Sequence, residues 1–441
     1  MNNHHHGKRH RALTLSCLVL AGESIFIPPF HLNRYFKSSL LDAFGLDELE
    51  LGKLFAVYGV SAMACYFLGG PLADRFSPRK LLPASLIATG MGSVYMSTIP
   101  SLDGLYALYT FWGVSTIFAF WAPLIRATRE WGGEDRQGRG FGILDGGRGL
   151  VAAVLASGAA YTFTAIVGDA ASPDVARETT AVRTLLYAYT GVCIVAAVCI
   201  WYFVPDPEPV TTPDADDTRR NRSSGLTRLK LVLSSPAVWL QAVVIVAAYS
   251  AFKMFDYYGL YSEDAYGLSR TGSAKLTANL SYIRVGATLA AGWIADRFTG
   301  ITRAVAGCFG LLIASYGAFL YVEPSRDLVW LMTANMALSG IAFFALRGIY
   351  FALLEESRTS RHLTGTAVGV ICFVGFTPEI FMPPMTGWLI ARAREGGDVL
   401  TGYNQIFGIL IGLTALGLAA AVMLLRRLGS RRDHTTVRSG R

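Results

Sequence analysis

Charge is the property that this sequence has least of. Only 16% of its 441 residues are Asp, Glu, Lys or Arg, whereas 52% are hydrophobic. Soluble domains carry roughly 25% charged residues, and a soluble chain of this length would need several polar-surfaced domains. The mean hydropathy of +0.40 agrees with this contrast. The composition therefore excludes a soluble protein, and it also excludes disordered, collagen-like and coiled-coil chains.

Several motifs that carry chemistry are absent as well. The six cysteines form no Cys-x-x-Cys pair, so we expect buried apolar side chains, and we predict neither a metal site nor a cofactor. A Walker A sequence is missing, which argues against ATP as the direct energy source. The absence of His-Glu-x-x-His and Gly-x-Ser-x-Gly leaves little support for an intramembrane enzyme.

Long apolar stretches are what the sequence has instead. A helix that crosses a bilayer needs about 20 mostly apolar residues, and the alternating pattern of barrel strands is absent. The first stretch is too long for a signal peptide and lacks a small-residue cleavage site. We predict twelve transmembrane helices, near 12–35, 48–70, 81–100, 103–127, 139–166, 184–204, 236–261, 272–295, 303–322, 328–353, 363–391 and 403–427.

The distribution of Lys and Arg predicts the orientation. With a cytoplasmic N-terminus, most of the 39 basic residues fall on the cytoplasmic side, as the positive-inside rule requires. We therefore predict a multi-pass protein of the plasma (inner) membrane with both termini in the cytoplasm. Topology also accounts for the net charge of +8, so nucleic-acid binding is not predicted. The C-terminal arginines are expected to meet anionic lipid headgroups.

A polar segment divides the chain. Residues 205–235 contain four prolines and charges of both signs but no long apolar run, which is typical of a linker. We predict an N-terminal six-helix bundle at 1–204, a cytoplasmic linker at 205–235, a C-terminal six-helix bundle at 236–427 and a basic tail at 428–441.

The two halves also repeat a motif. Residues 70–75 are Gly-Pro-Leu-Ala-Asp-Arg and residues 292–297 are Gly-Trp-Ile-Ala-Asp-Arg, each at the cytoplasmic end of the second helix of its half. With Arg79 and Lys80, the first copy resembles the loop signature of the major facilitator superfamily. That resemblance implies an all-α membrane fold of twelve helices in two pseudo-symmetric six-helix bundles. It also implies alternating access, in which one bundle rocks against the other.

The motif has two interpretations. Glycine allows close helix approach, and an aspartate beside a helix end can pair with the neighbouring bundle, so the loop would gate the cytoplasmic side. Alternatively, Arg75, Arg79 and Lys80 only enforce the topology. The gating candidates are Gly70, Asp74, Arg75, Arg79, Gly292, Asp296 and Arg297.

Charged residues inside the apolar stretches are the strongest functional signal, because each costs at least ~2.5–3.5 kcal/mol at the bilayer centre. The first span contains Glu23, His31 and Arg34, and the seventh contains Lys253, Asp256 and Tyr257. We expect His31, Arg34, Lys253 and Tyr257 to bind substrate, and Glu23, Asp145 and Asp256 to take part in coupling or gating. Paired prolines should kink the first span. The basic residues of these equivalent helices suggest a clamp for an anionic substrate. The alternative is that Arg34 is an arginine at the outer interface.

The resemblance makes the hypothesis of an anion clamp more specific. The chain resembles the organophosphate:phosphate antiporter branch of the superfamily, and Arg34 occupies the place of that branch's first-helix substrate-binding arginine. Lys253 stands near the place of its seventh-helix arginine, but a lysine lacks the bidentate fork that suits phosphate. Lys253 and Asp256 are three residues apart and are predicted to pair.

The remaining intramembrane charges have alternatives that the sequence leaves open. Asp145 and Arg148 either form a neutralising helix pair or place Arg148 in the cavity. Neighbouring glycines predict close helix packing in this fifth span. Arg284 and Arg347 are cavity ligands or members of buried pairs. Glu379, in a proline-rich eleventh span that is expected to be kinked, either couples protons or neutralises an arginine such as Arg284 or Arg347.

We therefore expect a secondary active transporter, monomeric, for a small anionic organic solute such as a sugar phosphate, sugar acid, sulfonate or carboxylate. Its partners would be this substrate, the lipid bilayer, and protons or a counter-anion, by symport or antiport. The alternatives are a substrate sensor on a transporter fold and a porter of inorganic anions such as nitrate or phosphate.

Overall fold

A computed structural model of the chain describes residues 2–132, 137–168, 174–205, 227, 229–353 and 364–439. Within these ranges the regular structure is helical and contains no β-strand, in agreement with the predicted all-α class. The chain divides into two compact units. Unit 1 consists of Met1–Pro209, Asp256–Val285 and Glu379–Leu400, and unit 2 consists of Val210–Phe255, Gly286–Pro378 and Thr401–Arg441.

Most consecutive helices are separated by only a few residues. The first half forms α1 (Asn2–Ser24), α2 (Ile27–Tyr35), α3 (Lys37–Phe44), α4 (Glu48–Arg75), α5 (Pro78–Ser97), α6 (Leu102–Ile117), α7 (Trp121–Gly132), α8 (Gln137–Val167) and α9 (Val175–Phe203). The second half forms α10 (Pro236–Lys253), α11 (Tyr258–Tyr266), α12 (Arg270–Ser281), α13 (Ile283–Ile294), α14 (Ile301–Tyr321), α15 (Val329–Ile349), α16 (Thr364–Gly375), α17 (Pro378–Glu395) and α18 (Val399–Ser439).

Eight helical stretches in the described residues are long and apolar enough to cross a membrane, and a bent pair brings the number to nine if it is one span. The three other predicted spans are also helical, as α4, α5 and the consecutive helices α12 and α13. The predicted linker lies mostly outside the described residues, and the predicted basic tail continues α18 as helix to Ser439.

Local sequence sets the helix ends. Asp47 and Glu50 form a reciprocal capping box at the start of α4, which satisfies two backbone donors there. Ser77 caps α5 and is followed by Pro78 at the first helical position, where the missing N–H costs nothing. Gly267 ends α11 in the left-handed conformation (φ 66°), which favours glycine.

The predicted kink in the first span is confirmed. The axes of α1 and α2 differ by 59° at the break between Ser24 and Ile27. Pro28 and Pro29 lie in the first turn of α2 and cannot donate to the carbonyls of α1, so the helix cannot continue without interruption. The eleventh span is likewise interrupted, since α16 ends at Gly375 and α17 begins at Pro378.

A break in the seventh span was not predicted from the sequence. Helix α10 ends at Lys253, a 3₁₀ turn follows at Met254–Tyr257, and α11 begins at Tyr258. Such turns within a long helix mark hinges or strained sequences. The break places Asp256 outside regular α-helix.

Small residues allow α8 to pack closely within unit 1, as the glycine pattern predicts. A Cβ at Gly147 would lie 2.7 Å from Val19 Cγ1, and one at Gly149 would lie 3.1 Å from Arg284 Cδ. Either contact is tighter than ordinary van der Waals packing. These glycines therefore let α1 and the Arg284 side chain approach α8.

The apolar core of unit 1 surrounds these helices. One cluster packs Leu18, Leu86, Phe120 and Leu124 together, all fully buried. In unit 2, the rings of Phe319 and Phe407 stack with centroids 4.7 Å apart. Each unit thus has its own apolar interior.

Candidate functional site

Three arginines and three acids form an ionic cluster in unit 1. We call it the arginine cluster, and it consists of Arg34, Arg148, Arg284, Glu23, Asp145 and Asp256. All six are residues that the sequence singles out as intramembrane charges. Each arginine side chain is only 12 or 13% exposed, so the guanidinium groups are mostly withdrawn from solvent.

Arg34 and Asp256 form the tightest pair of the cluster. Arg34 Nε donates to Asp256 Oδ1 at 2.6 Å, and the Asp256 side chain is almost fully buried. Arg34 lies in the last turn of α2, and Asp256 lies in the 3₁₀ turn of the seventh span. The pair therefore joins the two halves of the sequence at two helix breaks. The predicted pairing of Asp256 with Lys253 stays a prediction.

Glu23 lies between the other two arginines. Its Oε2 atom is 3.3 Å from Arg148 Nε and 3.7 Å from Arg284 Nη1, yet it has no hydrogen-bond partner in the described structure. The distances show attraction without the alignment of a hydrogen bond. Glu23 is thus held less tightly than Asp256.

Arg284 also reaches Asp145. Its Nη2 donates to Asp145 Oδ1 at 3.1 Å, and the Asp145 side chain is 41% exposed. Arg284 is one of the two arginines that the sequence predicts as partners of Glu379. The structure places it within ion-pair distance of Asp145 and Glu23. The predicted pair of Asp145 with Arg148 stays a prediction, because the distance that the structure establishes for Arg148 is to Glu23.

The cluster acts as one electrostatic unit. Arg34 interacts electrostatically with Glu23 and with Arg284 as well as with Asp256. Three cations face three anions, so the cluster is formally balanced. A substrate anion that enters it must therefore compete with a carboxylate for a guanidinium group.

Aromatic and hydroxyl groups around the cluster were not identified from the sequence. The Arg148 guanidinium lies 5.5 Å from the ring centre of Phe26 and 5.6 Å from that of Trp121, within the range of cation–π attraction. The Tyr35 and Ser281 hydroxyls are 2.8 Å apart. In sequence, these residues resemble ordinary apolar or interfacial positions, and only the fold brings them to the arginines.

His31 is buried between two tyrosine rings. Its ring centre lies 5.1 Å from that of Tyr35 and 5.5 Å from that of Tyr189. Among the described residues, neither ring nitrogen of His31 nor the Tyr189 hydroxyl has a hydrogen-bond partner. Burying such groups costs about 1–3 kcal/mol each. The substrate-binding role of His31 stays a prediction. The structure adds Tyr189 as a neighbour of His31 that the sequence did not indicate.

The other predicted basic residues lie in unit 2. Lys253 is the buried last residue of α10. The Arg347 guanidinium lies 4.0 Å from the ring centre of Phe252 and 5.7 Å from that of Tyr249. Phe252 in turn contacts Phe343 and Phe344. Arg347 is thus held against an aromatic surface.

Tyr257 and Glu379 belong to unit 1. The Tyr257 hydroxyl donates to the carbonyl of Pro383 at 3.2 Å, and the ammonium group of Lys37 lies 3.0 Å from the Tyr257 ring centre. Lys37 is a buried cation that the sequence reading missed, since the first span was predicted to end at 35. Glu379 is buried in the first turn of α17, and its role stays a prediction.

Comparison with known proteins supplies the family. A family model described as Major Facilitator Superfamily matches residues 12–383. The chain belongs to the Major Facilitator Superfamily. It is therefore a multi-pass membrane transporter and not an enzyme, and the predicted fold class is confirmed.

Individual relatives are distant. The chain is 24% identical over 424 residues to the inner membrane protein YqcE of Escherichia coli (strain K12), covering 95% of both chains. It is 22% identical over 403 residues to the glycerol-3-phosphate transporter of Bacillus subtilis (strain 168), covering 86% of both. Among solved structures, a bacterial homologue of the human lysosomal transporter Spinster aligns with a TM-score of 0.72 at 14% identity, over 95% of this chain and 97% of that chain. This last likeness shows the fold alone.

The superfamily loop motif is only partly described. Gly70 lies in the last turns of α4, and Arg75 is its exposed last residue. Arg79 donates to the carbonyl of Trp201 at 2.8 Å, which connects the start of α5 to the end of α9. In the second copy, Gly292 lies in α13 and Arg297 is exposed. The side chains of Asp74 and Asp296 lie outside the described residues, so their gating role stays a prediction.

A second ionic group joins the two sequence halves within unit 1. Arg270 donates to Glu178 and, at 2.5 Å, to Asp42. Arg394 donates to Glu48 at 3.0 Å and to Asp264 at 2.9 Å. These residues lie near the ends of the first, seventh and eleventh spans and near the beginning of the sixth. All four positions are on the side of the membrane that the sequence predicts to be outer. We call Asp42, Glu48, Glu178, Asp264, Arg270 and Arg394 the end network.

Arg270 of the end network keeps its positive charge. Burial lowers the pKa of Arg270, but hydrogen bonds to Asp42 and Glu178 outweigh that effect and raise the pKa above its ordinary value. Arg270 therefore stays protonated at every physiological pH. Glu178 is only 1% exposed, so it depends on Arg270 for charge compensation.

Substituting Arg270 with glutamine is expected to destabilise the protein by about 3–5 kcal/mol, because it leaves Glu178 as a buried charge without compensation. Thermal unfolding of the purified protein measures this. Arg177→Gln is the matched control, because its ion pair with Asp174 is exposed on both sides and should contribute less than about 1 kcal/mol.

A second substitution isolates the cause. Adding Glu178→Gln to Arg270→Gln removes the buried charge, and the double variant should recover most of the lost stability. If the double variant is as unstable as Arg270→Gln alone, Glu178 is not the reason that Arg270 is needed.

Proposed function

We propose that this superfamily member is a secondary active transporter that moves a small anionic organic solute across the inner membrane by alternating access. The observation that carries the proposal is the arginine cluster. Three mostly buried guanidinium groups on α2, α8 and α13 are each held by a carboxylate from another element. Ionisable groups in membrane spans are expensive and mark substrate pathways by default.

A structural role alone explains the cluster poorly. Buried ion pairs are weak contributors to stability, because desolvation offsets most of the attraction. Six charged side chains in one place are therefore a costly way to pack helices. They are an effective way to hold a small anion, because guanidinium groups offer paired donors to carboxylate, sulfonate or phosphate oxygens.

The geometry also indicates which contact a substrate displaces. Glu23 Oε2 lies between two arginines without a hydrogen bond, whereas Asp256 is bound to Arg34 at 2.6 Å. The weaker contact is the easier one to exchange. We propose that the anion binds Arg148 and Arg284 in place of Glu23, and that Arg34 donates two further hydrogen bonds to it.

Displacement of Glu23 would link anion binding to protons. A carboxylate that loses both of its cations inside the membrane is costly unless it is protonated. The charged and titratable groups that interact with the Glu23 region are Arg148, Arg284, Arg34 and Tyr35. This arrangement supports proton symport, and exchange for a second anion is the alternative.

The relatives support an anionic substrate in general terms. One relative is named for transport of glycerol-3-phosphate, a phosphate ester of the class that the sequence suggests. Lys253 and Arg347 of unit 2 remain proposed substrate ligands, the former as a buried cation. We further propose that the end network and the Gly70–Arg79 loop open alternately as the protein exchanges states.

A thermal-shift screen of the purified protein tests the substrate class. Sugar phosphates, sugar acids, sulfonates and carboxylates are compared with the neutral parent sugars, and we expect only anions to raise the melting temperature. Uptake of the stabilising anion into proteoliposomes then tests transport. Stabilisation by neutral sugars alone would contradict the proposal. Anion binding without uptake would indicate the alternative, a substrate sensor.

A further inference from the structure

A groove in unit 2 combines an apolar wall with two arginines. It has a volume of about 610 Å³ and lies between the beginning of α10 and the end of the apolar part of α18. We call it the arginine groove, and the residues that matter here are Pro236, Trp239, Val243, Met423, Arg426 and Arg427. None of them belongs to the arginine cluster or to the end network.

The wall of the groove is apolar and accessible. Trp239, Val243 and Met423 are all exposed, although such side chains favour apolar surroundings. The indole N–H of Trp239 donates to the carbonyl of Leu233 at 2.8 Å, which fixes the ring as part of the wall. An occupant of this wall must offer a hydrocarbon surface.

The position of the groove adds the second requirement. Pro236 begins one membrane-spanning helix, and Arg427 ends another. The groove therefore lies where the hydrocarbon region meets the headgroups, on the side that the Lys and Arg distribution predicts to be cytoplasmic. The exposed side chains of Arg426 and Arg427 place two positive charges at that level, where they attract negative headgroups.

Helix α10 adds a smaller positive contribution at the same end. Ser235 precedes α10 but makes no capping hydrogen bond with its side chain. Pro236 has no N–H, and the Val238 N–H donates to the carbonyl of Ser235 at 3.1 Å, so this end of the helix contributes mainly the positive end of its dipole. That contribution agrees in sign with the two arginines and favours an anion at the same end.

We infer that the arginine groove is a binding site for one anionic phospholipid of the inner leaflet. The acyl chain lies along Trp239, Val243 and Met423, and the headgroup phosphate binds Arg426 and Arg427. A free phosphate would leave the apolar wall uncovered, and a zwitterionic lipid would bring a cation beside the two arginines together with its phosphate. A lipid with acyl chains and a net negative headgroup matches both the wall and the charge of the groove.

Titration of the purified protein with phosphatidylglycerol and with phosphatidylcholine of the same acyl chains tests this, with bound lipid counted by native mass spectrometry. We expect at least tenfold tighter binding of one phosphatidylglycerol. In Arg426→Gln/Arg427→Gln that affinity should fall about 25-fold, or about 2 kcal/mol, because each arginine near an anionic surface contributes about half of that.

Two further variants separate the groove from general attraction. Arg431→Gln/Arg432→Gln removes the same charge from the same helix and should change the affinity less than threefold. Met423→Trp keeps every charge but fills the apolar wall, and it should lower the affinity for phosphatidylglycerol at least tenfold. Equal losses in the two arginine double variants, or an unchanged affinity in Met423→Trp, would overturn the inference.

A soluble competitor identifies the source of the phosphate group. Glycerophosphoglycerol carries the phosphodiester and the single charge of the headgroup without an acyl chain, and at millimolar concentration it should leave phosphatidylglycerol bound. Its displacement of the lipid at concentrations similar to those of the lipid would show that the arginines alone form the site, and the lipid assignment would be wrong.

Discussion

Arg34→Ala is expected to abolish transport while the protein still inserts into the membrane. Arg34 lies at the end of the bent first span and binds Asp256 at 2.6 Å. A guanidinium has five N–H donors in a planar fork, so it can hold Asp256 and an anionic group of the substrate together. Two charge-assisted hydrogen bonds contribute about 3–6 kcal/mol, and their loss lowers the affinity by more than 100-fold.

The measurement is uptake of the anion into proteoliposomes, normalised to the amount of folded protein. Arg34→Lys is the conservative comparison, because it keeps the charge but loses the fork. We expect Arg34→Lys to retain weak, measurable uptake and Arg34→Ala to have none. Uptake by Arg34→Ala at the level of the unmodified protein would contradict the anion-binding model.

A double variant separates substrate binding from charge neutralisation. If Arg34 only compensates the buried Asp256, then Arg34→Ala/Asp256→Asn removes both charges and should restore transport. If Arg34 binds the anion, the double variant regains stability but remains inactive. We expect the second result, because the pair joins two helix breaks beside Glu23 and Arg284 rather than the interior of a regular helix.

Much of the fold followed from elementary rules. Apolar length located the helices, and paired prolines located the 59° bend of the first span. The cost of charge in hydrocarbon selected all six members of the arginine cluster. Such signals are local, since each depends on a few consecutive residues and on the bilayer as solvent.

The pairing within the cluster was not accessible from local rules. Spacing along one helix suggests Asp256 with Lys253 and Asp145 with Arg148, and these pairs stay predictions. It gives no indication that Asp256 binds Arg34 or that Glu23 lies near Arg148, as the structure shows. These contacts depend on how helices from distant parts of the chain pack together. Tyr189 and Trp121 were missed for the same reason, because a buried aromatic residue beside a charge has the same sequence signal as one beside lipid.

Glu23→Gln is expected to uncouple the transporter from protons, which is the second large effect. Glu23 is the acid that two arginines hold without a hydrogen bond, and a substrate anion on those arginines would release it. Glutamine keeps the size of the side chain but cannot take up a proton. We expect substrate exchange across the membrane to continue in the variant and pH-driven accumulation to disappear.

Proton uptake on binding measures the same step without a membrane. The purified protein, in weakly buffered solution with a pH indicator, should take up close to one proton for each anion that it binds, and Glu23→Gln should take up none. The variant should not bind the anion more weakly than the unmodified protein, because the carboxylate that competes for Arg148 and Arg284 is gone.

Glu379→Gln is the matched variant, because Glu379 is likewise a buried acid of the membrane region in unit 1. If only Glu379→Gln loses proton uptake, coupling belongs to the eleventh span and the model for Glu23 is wrong. If the unmodified protein binds its anion without taking up a proton, the driving gradient is a counter-anion. Tighter anion binding by Glu23→Gln would still identify Glu23 as the group that the substrate replaces, since removal of a competitor affects affinity whichever ion supplies the energy.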